Sequence, residues 1–168
     1  LGYVHNDLKP KNILCEYLES SNTYKLYLID FNCYCKNIGE NLYGGHTLVY
    51  GSPQVLLKHD DCYRLYSNDI WSLGIIIFKI FNGLKTSNYL KPVKKEYLDR
   101  NLYSVLMNFV ISKGNTEIDI IKCKQIPETI PEVYINIMKG CFKFCSKSRI
   151  SIETIVDLIN NDLTVKTI

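Results

Sequence analysis

The sequence lacks a strong charge of either sign. Its 20 Lys and Arg face 17 Asp and Glu, a formal net charge of +3 over 168 residues, which gives no reason to expect a nucleic-acid partner. The basic residues are scattered apart from the stretch 91–95, read as a solvated loop with at most a leaning towards acidic partners. Long hydrophobic runs are missing too. The strongest, residues 70–81, has 12 residues and includes Ser72 and Lys79, whereas a bilayer span needs about 20 apolar residues. It reads as a buried core helix, and no membrane partner is expected. Metal-binding cysteine spacing is also absent. Cys33-x-Cys35 and Cys141-x3-Cys145 are close pairs, but neither has the Cys-x2-Cys interval of zinc ribbons and fingers, and the three histidines are far apart. Seven cysteines, an odd number, with no leading secretory segment point to reduced, mostly buried thiols in a cytoplasmic or nuclear setting. The first residue is Leu1, and the opening residues resemble no targeting segment, so a truncated chain is expected.

What is present is an ordinary globular composition, 46% apolar and 22% charged, without repeats or a low-complexity linker, and therefore one domain. Residues 24–29 (Tyr-Lys-Leu-Tyr-Leu-Ile) read as a β-strand, with residues 13–15 able to pair with it across the turn-rich 19–22. Residues 32–52 hold four of the nine glycines and few aliphatics, the pattern of an ordered but irregular loop. Helices dominate from there. Asn68 or Asp69 is placed to cap a helix running to about Asn82-Gly83 and apolar on nearly every side. Residues 96–112 repeat apolar side chains at helical spacing. A third helix starts at Pro131-Glu132 and runs to about Cys145, and a fourth follows Ser151 with Ile152, Ile155, Val156 and Ile159 on one face. The expected class is mainly α, with helices around a buried central helix and a short β-hairpin.

Five motifs then occur in a fixed order over about 145 of the 168 residues. His5-Asn6-Asp7-Leu8-Lys9-Pro10-Lys11-Asn12 resembles the protein-kinase catalytic loop, usually His-Arg-Asp-Leu-Lys-Pro-x-Asn. Asp30-Phe31-Asn32 resembles Asp-Phe-Gly. Thr47-Leu48-Val49-Tyr50-Gly51-Ser52-Pro53-Gln54 resembles the Thr-x-x-Tyr-x-Ala-Pro-Glu end of the activation segment. Asp69-Ile70-Trp71-Ser72-Leu73-Gly74 resembles the Asp-x-Trp-Ser-x-Gly signature of the central helix, and Arg149 sits where the family keeps a late arginine. Any one of these is weak alone; the ordered set is specific. The sequence is identified as resembling the eukaryotic-type protein kinases, in particular the C-terminal lobe of a Ser/Thr kinase. A His-Asn-Asp loop also occurs in some large-DNA-virus kinases.

The resemblance implies a layout of one partial kinase domain over residues 1–168: catalytic loop 5–14, activation segment 30–54 and helical subdomain 55–168. It implies transfer of the ATP γ-phosphoryl group to a Ser or Thr hydroxyl of a protein substrate, with Mg²⁺. Such chemistry asks mainly for positioning and for neutralisation of developing charge. Asp7 would orient the acceptor hydroxyl and take its proton, and Lys9 would stand beside the γ-phosphate. Asn12 and Asp30 would hold Mg²⁺ through hard oxygen donors, so that Lys9, Asn12 and Asp30 form the nucleotide-binding set. Thr47 would complete the arrangement by hydrogen-bonding near Asp7. Asp69 is expected to hold the catalytic-loop backbone from the central helix, and His5 to pack against the Asp-Phe turn.

Several features depart from the family pattern. Asn6 stands for an arginine that pairs with a phosphorylated activation-loop residue, and Asn cannot make that charged bidentate contact. Activity independent of activation-loop phosphorylation is expected, with Tyr43→Glu and Ser52→Ala as the tests; a large activity change from either would sink the idea. Asn32 stands for the glycine of Asp-Phe-Gly, where a residue tolerant of φ > 0 is wanted. Gln54 stands for the glutamate partner of Arg149. The glycine-rich loop, Val-Ala-x-Lys strand and helix glutamate of the N-terminal lobe precede nothing here, so that lobe is absent from this stretch. A different function class stands beside the enzyme, a non-catalytic decoy or regulator docking on a kinase partner or a kinase substrate, which the absent lobe favours only if the natural protein begins near Leu1. Retention of Asp7, Lys9, Asn12 and Asp30 favours the enzyme.

Overall fold

A computed structural model of the chain describes residues 3–36, 47–52, 54–55, 66–81, 130–143 and 145–165. The expected helix over 96–112, the basic stretch 91–95 and Tyr43 lie outside the described residues. Within them the protein is mostly helical with two small antiparallel sheets. Strand β1 (Tyr3–Val4) pairs with β4 (Cys35–Lys36). Strands β2 (Ile13–Leu18) and β3 (Thr23–Leu28) form the hairpin in the register Ile13↔Leu28 to Leu18↔Thr23. The turn over 19–22 falls where the sequence puts it. Asn22 closes it at φ 50°, a left-handed conformation that Asn tolerates well. The first strand is longer than the expected 13–15, because Glu16 and Tyr17 are drawn into the ladder opposite Lys25 and Tyr24. The β1–β4 pair had no legible pattern: two residues are too few to show alternation.

Helix α1 (Ser67–Phe81) is the centre of the core, α2 (Glu132–Cys141) packs against it, and α3 (Ile152–Val165) packs against α2. Ile70, Trp71 and Ile77 of α1 are buried with Ile130, Ile137, Met138, Cys141, Phe142 and Ile155. Trp71 and Phe142, both fully buried, meet edge to face with centroids 5.2 Å apart, a geometry that adds to their area burial. Around α1 the apolar belt is nearly continuous, as expected, but Ile80 is exposed. Neither Asn68 nor Asp69 caps the helix. It starts at Ser67, and those two side chains, in its first turn, bond to other segments instead. The next helix ends at Cys141, short of the expected 145, where the Phe142 amide donates to the Met138 carbonyl at 3.0 Å. Ser151 does cap α3, its hydroxyl accepting from the Thr154 amide at 3.1 Å. Of that helix's expected face, Ile155 is buried while Ile152 and Val156 are exposed.

Close approach of α1 to α2 requires Gly74. A Cβ there would lie 2.6 Å from Cys141 Cβ and 3.0 Å from Phe142 Cε1, and a packed core cannot absorb that without moving backbone. Cys15, Cys33, Cys141 and Cys145 stand as thiols, and burial pushes that of Cys141 up to about 12. No helix of the described residues is long and apolar enough to cross a membrane. Gly74→Ala is expected to cost about 1–3 kcal/mol through overpacking, read as a lower midpoint in urea; an unchanged midpoint would show that the interhelical contact is looser than this geometry.

Candidate active site

The site begins at a half-buried carboxylate on α1. Asp69 accepts the backbone amide of His5 at 2.7 Å through Oδ2 and that of Asn6 at 3.0 Å through Oδ1. Burial raises its pKa, while the two amide bonds oppose that rise. The start of the loop 5–14 is thereby pinned to the core helix across 64 and 63 residues of sequence. Asn6 takes φ 64°, so Asn suits the bend, and its Nδ2 donates to the Cys33 carbonyl at 3.3 Å. His5 turns its ring onto Phe31, centroids 4.9 Å apart. Its Nδ1 lies 3.3 Å from the Asp7 amide and its Nε2 3.1 Å from the Ile29 carbonyl, which assigns the proton to Nε2. Both packing expectations, for Asp69 and for His5, are met.

The bend presents Asp7, buried, at the head of a short 3-10 turn (Pro10–Asn12). Its Oδ1 accepts the Thr47 amide at 3.0 Å and its Oδ2 meets Lys9 Nζ. Lys9 also donates to Thr47 Oγ1 at 2.9 Å. Asn12, buried, gives Nδ2 to the Asp7 carbonyl at 2.9 Å and to Asp7 Oδ2 at 3.3 Å, leaving its amide oxygen as the group for a cation. Burial alone would push the Asp7 carboxyl up; the bonds from Lys9 and Thr47 outweigh it and hold the group below its ordinary value. The residues 5–12 and 47 named from sequence are therefore one cluster.

Asp30 is placed by β3, which it follows by two residues, and the Ile29 amide donates to the Asn12 carbonyl at 3.0 Å. Here the structure corrects an expectation. The left-handed residue of the Asp-Phe-Asn turn is Asp30, at φ 61°, and Asn32 lies inside a right-handed 3-10 turn (Phe31–Cys33). Asn32 is thus no stand-in for glycine's freedom. Its Nδ2 donates to Asp30 Oδ1 at 2.7 Å, which orients the carboxylate and leaves Oδ2 to other partners. Cys33 lies between the acids: burial raises its thiol pKa, and the charges of Asp7 and Asp30 push the same way. Asp30 and Asn12 together offer hard oxygen donors of the kind Mg²⁺ takes, so the residues present fit that ion.

The segment 50–52 is sewn to α1. Ser72 Oγ donates to the Tyr50 carbonyl at 2.8 Å and Ser52 Oγ to Asn68 Oδ1 at 2.7 Å. Ser52 is fully buried and also accepts from the Val55 amide at 3.4 Å, which corrects its use as a phosphorylation test: Ser52→Ala would remove a core hydrogen bond. Arg149 keeps its expected place, with NH2 bonded to Gln54 Oε1, NH1 to the Ser67 carbonyl at 2.8 Å and Nε to the Lys143 carbonyl at 2.9 Å. Sequence reasoning missed the Tyr50–Lys79 pair; the signal was the lysine inside an apolar run.

A buried acid bonded by a lysine, a threonine and an asparagine, with a second carboxylate two residues past a strand, gathers the residues that the motifs single out in the sequence. The sequence matches the protein kinase domain family over residues 1–158, and the chain belongs to that family. It is similar to the serine/threonine-protein kinase Kist of Homo sapiens and of Mus musculus, 33% identical over 121 residues that cover 67% of this chain and 27% of that protein. It is also similar to a serine/threonine-protein kinase of Drosophila persimilis, 34% identical over 84 residues, 49% of this chain and 11% of that protein. The chain thus spans well under a third of the length of these relatives.

Removing the lysine tests the cluster's electrostatics. In Lys9→Met the Asp7 carboxyl should titrate at higher pH, since burial remains and a main lowering cause is gone, as followed by the carboxyl carbon resonance. The sign extends to stability: ionised Asp7 stabilises the fold above the ordinary carboxylate pKa and loses that contribution as pH falls through its lowered value. Asp7→Asn should flatten this part of the acid limb, and an unaltered limb would count against the cluster.

Proposed function

We propose that the chain is the C-terminal lobe of a Ser/Thr protein kinase, with catalytic loop 5–14, activation segment 30–54 and helical subdomain 55–168, working in an intracellular reducing compartment. The observation that carries the reading is the Asp7–Lys9–Thr47 triangle, in which one buried carboxylate has both oxygens oriented by groups 2 and 40 residues away in sequence. Such an acid is suited to accept a proton from a hydroxyl set against it. Asp7 aligns the Ser or Thr oxygen of the protein substrate with the γ-phosphorus and takes the proton. The new O–P bond forms as the bond to the β-phosphate bridging oxygen breaks, ADP leaves, and the proton passes on to solvent. Lys9, shared between Asp7 and Thr47, is at hand to neutralise γ-phosphoryl oxygens, which favours a hydroxyl acceptor of Ser/Thr type. Asn12 and Asp30 are the residues that would hold Mg²⁺, whose chemistry is to neutralise charge on the β- and γ-phosphates. Asn32 keeps Asp30 aimed for that duty. A decoy has no chemical use for this set together.

Two measurements test the proposal. Mg·ATP at about 100 times its dissociation constant should stabilise the chain by ~2.7 kcal/mol, read as a melting shift that Asp30→Asn reduces. Transfer to a Ser/Thr peptide should fall by orders of magnitude in Asp7→Asn while the nucleotide shift persists. No shift at millimolar nucleotide, together with no transfer, would turn the reading towards a non-catalytic regulator.

A further inference from the structure

Lys79 lies in the last turn of α1, the helix that forms the core. Its ammonium donates to Tyr50 Oη at 2.7 Å and sits over the same ring, 4.0 Å from the centroid. Both groups are part-buried. Burial lowers the lysine's pKa and raises the tyrosine's, and neither shift has a charged partner among its causes. Among the described residues the one ion pair is Lys9–Asp7, and among them Lys79 meets a phenol and a π-face and no carboxylate. A cation withdrawn from water without an anion is costly. Such a group is kept where something else supplies the counter-charge, and perturbed groups of this kind gather at binding sites.

Its place says what that something is. Tyr50 closes a 3-10 turn whose first carbonyl belongs to Thr47, at 2.9 Å from the Tyr50 amide, and the Thr47 amide is the one bonded to Asp7. At ~2 Å of rise per residue, Thr47 and Tyr50 are about 6 Å apart along the turn. With the side chains' own reach, this amounts to roughly two to four residues of extended peptide at ~3.3 Å each. Ser72 and Ser52 fix this turn to α1, so the ammonium is held at a set offset from the acid.

We propose that Tyr50 and Lys79 form an anion subsite that selects protein substrates carrying an Asp or Glu a few residues from the acceptor Ser or Thr. The Lys79 ammonium receives the carboxylate, and the Tyr50 hydroxyl, with its proton turned outward, donates a second hydrogen bond to it. The proposal deepens the kinase reading and rests on it for the acceptor hydroxyl, but carboxylate binding does not need transfer.

The experiment therefore reads binding and transfer separately, with the whole chain and two fluorescent Ser peptides that differ only in Glu or Arg flanking the acceptor. The Glu peptide is expected to bind at least fivefold more tightly by anisotropy and to be phosphorylated preferentially. Lys79→Met should erase the difference and Lys79→Glu should reverse it, with helical circular dichroism retained in both. Tyr50→Phe should weaken it while leaving the lysine's contribution. Equal binding of the two peptides, or discrimination unaltered in Lys79→Met, overturns the subsite even if transfer is brisk. Lys79-dependent binding of the Glu peptide without transfer sustains the subsite and counts against the transferase reading instead.

Discussion

Everything near the candidate site depends on one half-buried carboxylate holding two consecutive amides. Asp69 receives the amides of His5 and Asn6 at 2.7 and 3.0 Å, and no side chain shorter or neutral would offer two charged oxygens at that spacing. The loop has no regular secondary structure from which to take support, since residues 5–9 precede a single 3-10 turn. Its backbone donors must be satisfied by something rigid, and α1 is the most deeply packed element available. The rise that burial imposes on Asp69, opposed by those same amide bonds, is the tension that ties the two together: if either amide is lost, the remaining carboxylate is an undersatisfied charge in the core.

From that anchor the order of construction runs outward. Trp71, two residues along α1, packs edge to face on Phe142, and the Arg149 guanidinium lies 5.1 Å over its ring. Arg149 then ties Gln54, Ser67 and Lys143 into one knot at the helix start. Ser72 and Asn68 carry the same helix to Tyr50 and Ser52. One helix therefore fixes both walls of the cluster, the loop bearing Asp7 and the turn bearing Thr47, and it does so with side chains from a single first turn and a half. Rigid support of this kind is what positioning chemistry needs, because misplacement by an ångström is expensive.

The motifs made Asp7, Lys9, Asn12, Asp30, Thr47, Asp69 and Arg149 legible because each residue type has a chemical job that few others can do. The hairpin and the three described helices were legible from periodicity. What escaped was decided by tertiary contact. Asn68 and Asp69 look like caps because short polar side chains before an apolar run usually are; here long-range partners compete for them and win. Ser52 looks like an accessible hydroxyl in a glycine-rich loop, yet the fold inserts it under α1. The positive φ was assigned to Asn32 from the glycine it replaces, whereas the turn places the strain on Asp30, where its neighbour's amide can compensate it.

The three amides that stand where the family pattern has other residues share a physical logic. Asn6 bonds the Cys33 carbonyl, Asn32 bonds Asp30, and Gln54 accepts from Arg149. In each place a neutral side chain keeps a hydrogen bond that fixes geometry, while the demand for an opposite charge or for a freely rotating backbone is dropped. An amide pays less desolvation than an ion, so the knot around Arg149 and the join between the two site segments hold without a carboxylate or a phosphate. The same exchange leaves no side-chain charge at positions 6 and 32, where each amide donates to a nearby oxygen. A scaffold that has exchanged switchable charges for fixed amides is suited to standing in one conformation.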